Sequence, residues 1–485
     1  MSRIVAAAFA LQLALLLTAA RPASAGTAGL PLGRLELGIS SDATQLGAMK
    51  AMGVPWKYRY QYLAGGANTD SSWLHWQDAS APAGQFAADY MSGSGGAGYI
   101  PFFPYYMLLQ STPATGGDEA SKDASNVNNA GTMNAYFSTF RVLMQRAHAY
   151  GKPVVVLNEP DFWGFMQQRG AASAIPAAVA SSGFADVAGL PNTVAGFAAA
   201  LLHLRDVYAP NVVMAVHASL WSSGTDIGTS TSGSINAVAE ADRTAAWLAS
   251  TGRWDVVTTD VDDHDADWWV ATGRVSAGFT HSWDASNVRF PNFHRWEQWI
   301  GEIHSRMGLP AMAWQTPVGN STLTNTCDQA SGNGHYRDNV VQYFLAHPTE
   351  LTAAGLVAVI FGAGNACQTS PYNDGGVLKQ LAGAYYAGKP AVIAGAAAAS
   401  ATPSTAPTPS PSPSATPEET PAASASPSEL AARPAAGRPS DGSRMPLLAG
   451  GLAAFVLLGG AAASAVWWFR FRRRPKRPAT SLPKP

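Results

Sequence analysis

Between Leu35 and Phe361 the chain repeats one pattern: a short apolar run, a polar or Gly/Pro-containing segment, then a stretch with helical spacing. The runs are Leu35–Ile39, Trp56–Tyr62, Tyr99–Tyr105, Val154–Leu157, Val212–Val216, Asp255–Thr259, Ala311–Trp314 and Leu356–Phe361. Runs this short, bounded by turn residues, suit buried strands better than helices. Between them lie amphipathic stretches such as Tyr136–Tyr150 (with Phe137, Phe140, Val142, Leu143, Met144 and Ala147), Val194–Tyr208 and Phe293–Met307. Eight strands alternating with helices predict an α/β fold, a (β/α)8 TIM barrel over residues 26–395, in preference to a doubly wound open sheet.

The pattern changes at both ends. Arg3, the apolar run Ile4–Thr18 and the small-residue step Ala23-Ser24-Ala25 predict a signal peptide over residues 1–25, with the mature chain starting at Gly26. Residues 396–444 are Pro, Ser, Thr and Ala with almost no large apolar side chain, as in Ser404-Thr405-Ala406-Pro407-Thr408-Pro409. Such a segment cannot build a core and reads as a semi-extended linker. Residues 445–469 are apolar and uncharged and close on Trp467, Trp468 and Phe469. That is long enough to cross a hydrocarbon core, which takes about 20 residues. The basic tail over residues 470–485 (Arg470, Arg472, Arg473, Arg474, Lys476, Arg477) then places this end in the cytoplasm and the barrel outside. The expected localisation is the cell membrane, single-pass, with an extracellular domain.

The net charge of −1 hides an asymmetry. Of 31 basic residues, the tail holds seven and the leader two, leaving 22 against 32 acids. That excess of acid argues against a nucleic-acid or anionic-polymer partner and favours a neutral one. The two cysteines, Cys327 and Cys367, follow neighbouring strands and are expected to form a disulfide in an oxidising compartment. No Cys/His spacing calls for a metal, and no motif calls for a cofactor.

In such barrels the active site is built at the C-terminal ends of the strands. Those ends carry Arg59 on strand two, Asn158-Glu159-Pro160-Asp161-Phe162-Trp163 on strand four and His217 with Trp221 on strand five. Strand six ends in a run containing Asp260, Asp262, Asp263, Asp265, Asp267 and Trp269, and strand seven ends in Trp314-Gln315. Aromatic faces stack on sugar rings while carboxylates and amides bond hydroxyls, so a carbohydrate polymer is the expected partner. Arg59 would neutralise a site carboxylate or pair structurally. His217 would orient a carboxylate or sit satisfied in the core. Of Trp163, Trp221, Trp269 and Trp314, about half are expected to face the cleft.

Asn158-Glu159-Pro160 at the end of strand four resembles the signature of the large retaining barrel clan of glycoside hydrolases, which includes cellulases, mannanases and xylanases. The resemblance implies that Glu159 is the general acid/base and that Asn158 bonds the sugar 2-hydroxyl. It covers the barrel in architecture but only this motif in residues. At strand seven, where the clan places its nucleophilic carboxylate, this chain has Gln315, and an amide cannot act as an anionic nucleophile. The second carboxyl is then expected on strand six, Asp260 first and Asp262 second, both on one face, with Asp263 pointing the other way. Asp161 is an alternative partner, since Glu-Pro-Asp also resembles a motif of inverting cellulases. With the base so displaced, a water must fit between it and the sugar, which implies a carboxyl separation of about 6.5–9.5 Å and inversion. A solvated acidic loop or a calcium-binding turn is the competing reading of Asp260–Asp267. A catalytically silent, carbohydrate-binding barrel is the competing reading of the whole. A peptidase or esterase lacks its nucleophile-base constellation.

Overall fold

A computed structural model describes residues 25–273, 281–328, 333–362 and 367–393. Eight parallel strands close on themselves: β1 (Glu36–Ser40), β2 (Tyr58–Tyr60), β3 (Ile100–Tyr106), β4 (Val154–Asn158), β5 (Val212–His217), β6 (Val256–Thr259), β7 (Ala311–Thr316) and β8 (Leu356–Phe361). Each pairs with its neighbour in sequence order, and the β1–β8 pairing of Glu36 with Ala358 through Ile39 with Phe361 seals the barrel. The expected second run is interrupted. It pairs as Tyr58–Tyr60, breaks at Gln61 and Tyr62, and resumes as the two-residue Leu63–Ala64 against the end of β3.

Alternation along the strands produces two cores. Tyr58, Tyr60, Phe102, Val155, Leu157, Val213, Ala215, Val256, Met312, Trp314, Ala358 and Ile360 fill the barrel interior. The opposite set, among them Leu37, Phe103, Val154, Val156, Met214, Val216, Val257 and Val359, packs under the helices. The helices form where the sequence supplies both an apolar stripe and a cap. Asn129, Thr193 and Asn292 each accept a backbone amide at the start of Ala130–Tyr150, Val194–Tyr208 and Phe293–Met307. The first of these begins one and a half turns before its apolar pattern suggests.

The last helix, Val377–Ala387, locks the start of the barrel to its end. Tyr385 Oη donates to Leu35 O at 2.8 Å, and Tyr386 Oη donates to Glu36 Oε2 at 2.9 Å while accepting from Leu37 N. The backbones of residues 33–35 and 391–393 run together through Leu35 N to Ala391 O at 2.8 Å and Ile393 N to Gly33 O at 3.3 Å.

Cys327 and Cys367 are disulfide-bonded, with 5.3 Å between their Cα atoms. The expected linker, transmembrane segment and tail, and all but the last residue of the expected leader, lie outside the described residues. Among the described residues no helix is long and apolar enough to cross a membrane.

Candidate active site at the barrel mouth

The tips of β4 and β7 both leave strand geometry abruptly. Glu159 has φ +40° and Gln315 φ +52°, a left-handed conformation that non-glycine residues rarely adopt. At Gln315 the β7–β8 register also slips, with Ala313 opposite Val359 but Thr316 opposite Phe361, a bulge of the kind that re-aims a side chain. Backbone strain of this sort persists where surrounding structure enforces it, and it concentrates at functional sites.

Re-aiming sends the two side chains to different places. Gln315, 7% exposed, accepts a hydrogen bond at its Oε1 from Tyr62 Oη at 2.7 Å. Glu159 is 1% exposed and is held by the loop after β3: Met107 N donates to Oε1 at 2.9 Å and Leu108 N to Oε2 at 3.3 Å. Burial pushes its carboxyl up to about 8, against the pull of those two amides and of Tyr136. Tyr136 belongs to the layer beneath the helices. Glu159 is therefore wrapped by protein on the β3 side of the rim.

Asp161, the second residue of the helix Pro160–Arg169, is half-buried and shares the mouth with β5 and β6. Burial raises its carboxyl to about 7; the His217 imidazole opposes that, and Asp260 and Asp263 add to it. His217, 1% exposed, has its Nδ1 3.1 Å from Thr258 Oγ1 and its Nε2 3.6 Å from Asp260 Oδ1. Its ring meets Trp314 edge-on at 5.7 Å between centroids. Trp314 also carries Tyr60 and Tyr62 against its faces and edges, so it forms the floor of the mouth with 3% of its surface exposed. Gly362 permits this packing, because a Cβ there would sit 2.0 Å from Tyr60 Oη.

The acidic run after β6 divides by function. The strand ends at Thr259, so alternation does not extend to Asp262 and Asp263 as expected. Asp263 Oδ1 lies 2.6 Å from His264 Nδ1, and its charge adds to that of Asp260 in raising Tyr62 and Asp161. Burial would raise Asp263, yet the neighbouring His264 outweighs it and holds the carboxyl below its usual range. Burial and then Asp263 push Asp262 well above that range. Asp262 accepts from Trp269 Nε1 at 3.1 Å on each oxygen and faces His281 Nδ1 at 2.9 Å. Asp265 is a structural hub. It accepts from Gly319 N at 2.7 Å and Thr369 N at 2.9 Å, tying together the loops after β6, β7 and β8. Asp267 pairs with Arg337 at 3.1 Å on the surface.

Three expected site residues are turned to the other side of the sheet. Arg59 alternates with Tyr58 and Tyr60 and so points outward, bonding Ser41 Oγ at 3.1 Å and Ser94 Oγ at 3.2 Å with its guanidinium 4.0 Å from the centre of the Tyr90 ring. Asn158 is fully buried beside Met214 in the outer layer, and its backbone oxygen accepts from Trp163 Nε1 at 2.8 Å. Trp163 stacks on Phe197 and meets Trp254 in the same layer, where it is core. Trp221 stays half-buried at the rim, its ring 4.7 Å from Phe165, over a spot kept open by Gly164. Trp269 lies 4.7 Å from the His281 ring, stacked on it.

The reading of strand tips overlooked Glu119 and Asp123, which come from the helix Glu119–Val127 inserted after β3. They are 2% and 1% exposed, and Tyr106 Oη donates to Glu119 Oε1. Burial raises both carboxyls well above their usual range, and their mutual repulsion adds to it for Asp123. A signal was present: like charges at i and i+4 weaken an isolated helix, so both on one face point to a tertiary reason.

No protein-family model matches the chain, and no curated protein does. Solved structures similar to it in outline include an endo-beta-1,4-mannanase double mutant from Cellulomonas fimi, at 13% identity over 75% of this chain and 74% of that one, TM-score 0.44. GH26C from Muricauda sp. is 10% identical over 74% and 86% of the two chains, TM-score 0.43. The Ignisphaera aggregans GH53 catalytic domain is 9% identical over 73% and 97%, TM-score 0.41. The barrel assignment stands on the strand pairings of this chain.

Proposed function

We propose that this protein is an exported, membrane-tethered glycoside hydrolase acting on polysaccharide, in which Asp161 is the proton donor and Asp260 the second carboxyl. One observation carries the reading: Asp161 is pushed up to about 7 by burial in a mouth it shares with Asp260, over a floor of Tyr62 and Trp314. Glycoside hydrolysis needs one carboxyl kept protonated near neutral pH and another that is ionised, in different surroundings. Asp161 meets the first requirement and has access that Glu159 lacks. Its proton passes to the glycosidic oxygen as the bond to the anomeric carbon breaks. Asp260, with 22% of its side chain exposed and His217 beside it, takes a proton from the attacking water. The Gln315 amide bonds to Tyr62 and offers the sugar a hydrogen bond in place of a nucleophile, so the anomeric configuration inverts.

Purified protein incubated with a glycan panel tests this. New reducing ends, lost in Asp161→Asn, support it, and proton NMR of the first-formed product reads the stereochemistry. Retention would mean a nearer nucleophile. Gln315 favours a second reading, a barrel that binds carbohydrate without cutting it; glycan binding with no new reducing ends would establish that one. The leader, linker and apolar segment in the sequence support export and tethering, and protease accessibility of the barrel on intact cells tests them.

A further inference from the structure

We propose that Asp262, Asp263 and His264 bind one divalent transition-metal ion at the edge of the barrel mouth. One donor atom from each of the three lies within 4.8 Å of the others. Two ligands of one zinc ion sit about 3.3–4.3 Å apart, given metal–ligand bonds of about 2.0–2.2 Å, so small side-chain rotations bring the three donors into range.

The independent observation is His264. It is 1% exposed, and its Nε2 has no hydrogen-bond partner among the described residues. Nδ1 lies 2.6 Å from Asp263 Oδ1, an ion-pair distance shorter than two ligands of one ion keep, so this pair opens as the ion enters. A buried ring nitrogen left without a partner is costly, and such atoms call for one. Trp268, 3.6 Å from the His264 ring centre, fixes the ring in place.

The surroundings suit a ligand set. Trp269 Nε1 reaches both oxygens of Asp262 at 3.1 Å, and His281 Nδ1 lies 2.9 Å from Oδ2. Outer contacts of this kind orient a ligating carboxylate. Asp263 keeps 41% of its side chain exposed, which leaves an entry path and room for water ligands. Two carboxylates with an imidazole favour a borderline ion such as Zn2+ over Ca2+, which prefers oxygen alone.

The test is calorimetric titration of the chelator-treated full-length chain with Zn2+ and, separately, Ca2+, with Co2+ absorption as a spectroscopic reading. We expect one equivalent of Zn2+, at least about tenfold tighter than Ca2+, and visible cobalt bands that change when His264 is replaced by Ala. His264→Ala and Asp263→Asn should each weaken Zn2+ binding by at least about tenfold. Asp263→Asn lies at a half-exposed position and keeps the test valid if the buried substitution fails to fold. His294→Ala removes a member of the other acidic-histidine group, on the outer helices, and should change nothing. No Zn2+ binding, binding untouched by Asp263→Asn, or tighter Ca2+ binding would each overturn the proposal. All these readings are of binding, so they stand or fall apart from hydrolysis.

Discussion

Glu119, Asp123 and Glu159 on the β3–β4 side of the mouth are at most 2% exposed, whereas Asp260 and Asp263 on the β6 side keep 22% and 41% of their side chains in reach of solvent. Asp262 joins the open side, and burial raises all three carboxyls on the sealed side and that of Asp262 on the open one. The sealed side answers with backbone amides and tyrosine hydroxyls, the open side with imidazoles and an indole. A raised carboxyl therefore does not by itself mark a catalytic acid; it must also be reachable. Asp161, raised and half-buried, stands between the two sides and meets both conditions.

The largest expected effect tests that distinction. Asp161→Asn should lower hydrolysis about a thousandfold, a typical loss for a missing general acid, with an unchanged circular dichroism spectrum. In the unaltered protein the rate should fall as pH rises through about 7, because the acid must be protonated to act. A loss smaller than tenfold would return the role to the sealed side.

Next comes the staple of the open side. Replacing Cys327 and Cys367 with Ser frees a loop spanning 40 residues, and urea unfolding should show a loss of about 4 kcal/mol. No change in midpoint would mean that the Asp265 hub alone holds these loops.

Glu159→Gln should cost about 1–3 kcal/mol, because one of the two loop amides then faces a donor in place of an acceptor. Activity should stay within tenfold. Abolished activity in a variant of normal stability would place Glu159 in the chemistry after all.

The smallest effect is one of pH. The folded-state carboxyl of Glu159 is raised to about 8, above its value of about 4.3 in an unfolded chain. Its contribution to stability is thus fully present below about pH 4 and is lost as pH rises toward 8. Stability measured across that window should fall less steeply in Glu159→Gln than in the parent chain.

The barrel was legible because strand burial leaves its mark in apolar runs, and all eight runs became strands. The rim was legible as a place and less so as a set of side chains. Alternation would turn Glu159 to the mouth and Gln315, which follows the interior Trp314, away from it, but at φ +40° and +52° the backbone no longer alternates. It also stops applying after Thr259, where the strand ends before Asp262 and Asp263. Glu119 and Asp123 arrive on an inserted helix that no strand pattern announces. Arg59, by contrast, was misplaced despite good information: its neighbours Tyr58 and Tyr60 are interior residues, so period-two spacing already sends it outward.

The seam between residues 33–35 and 391–393 gives the molecule a direction. It lies at the end of the barrel where strands begin, and the mouth lies where they finish. A tether continuing from Ile393 would leave from the base, so the opening would look away from the anchoring surface. Long chains lying beyond the cell could then be gripped along their length without first approaching the lipid headgroups. Reattaching the same tether at the other pole would leave every bond of the pocket intact and turn it to face the bilayer.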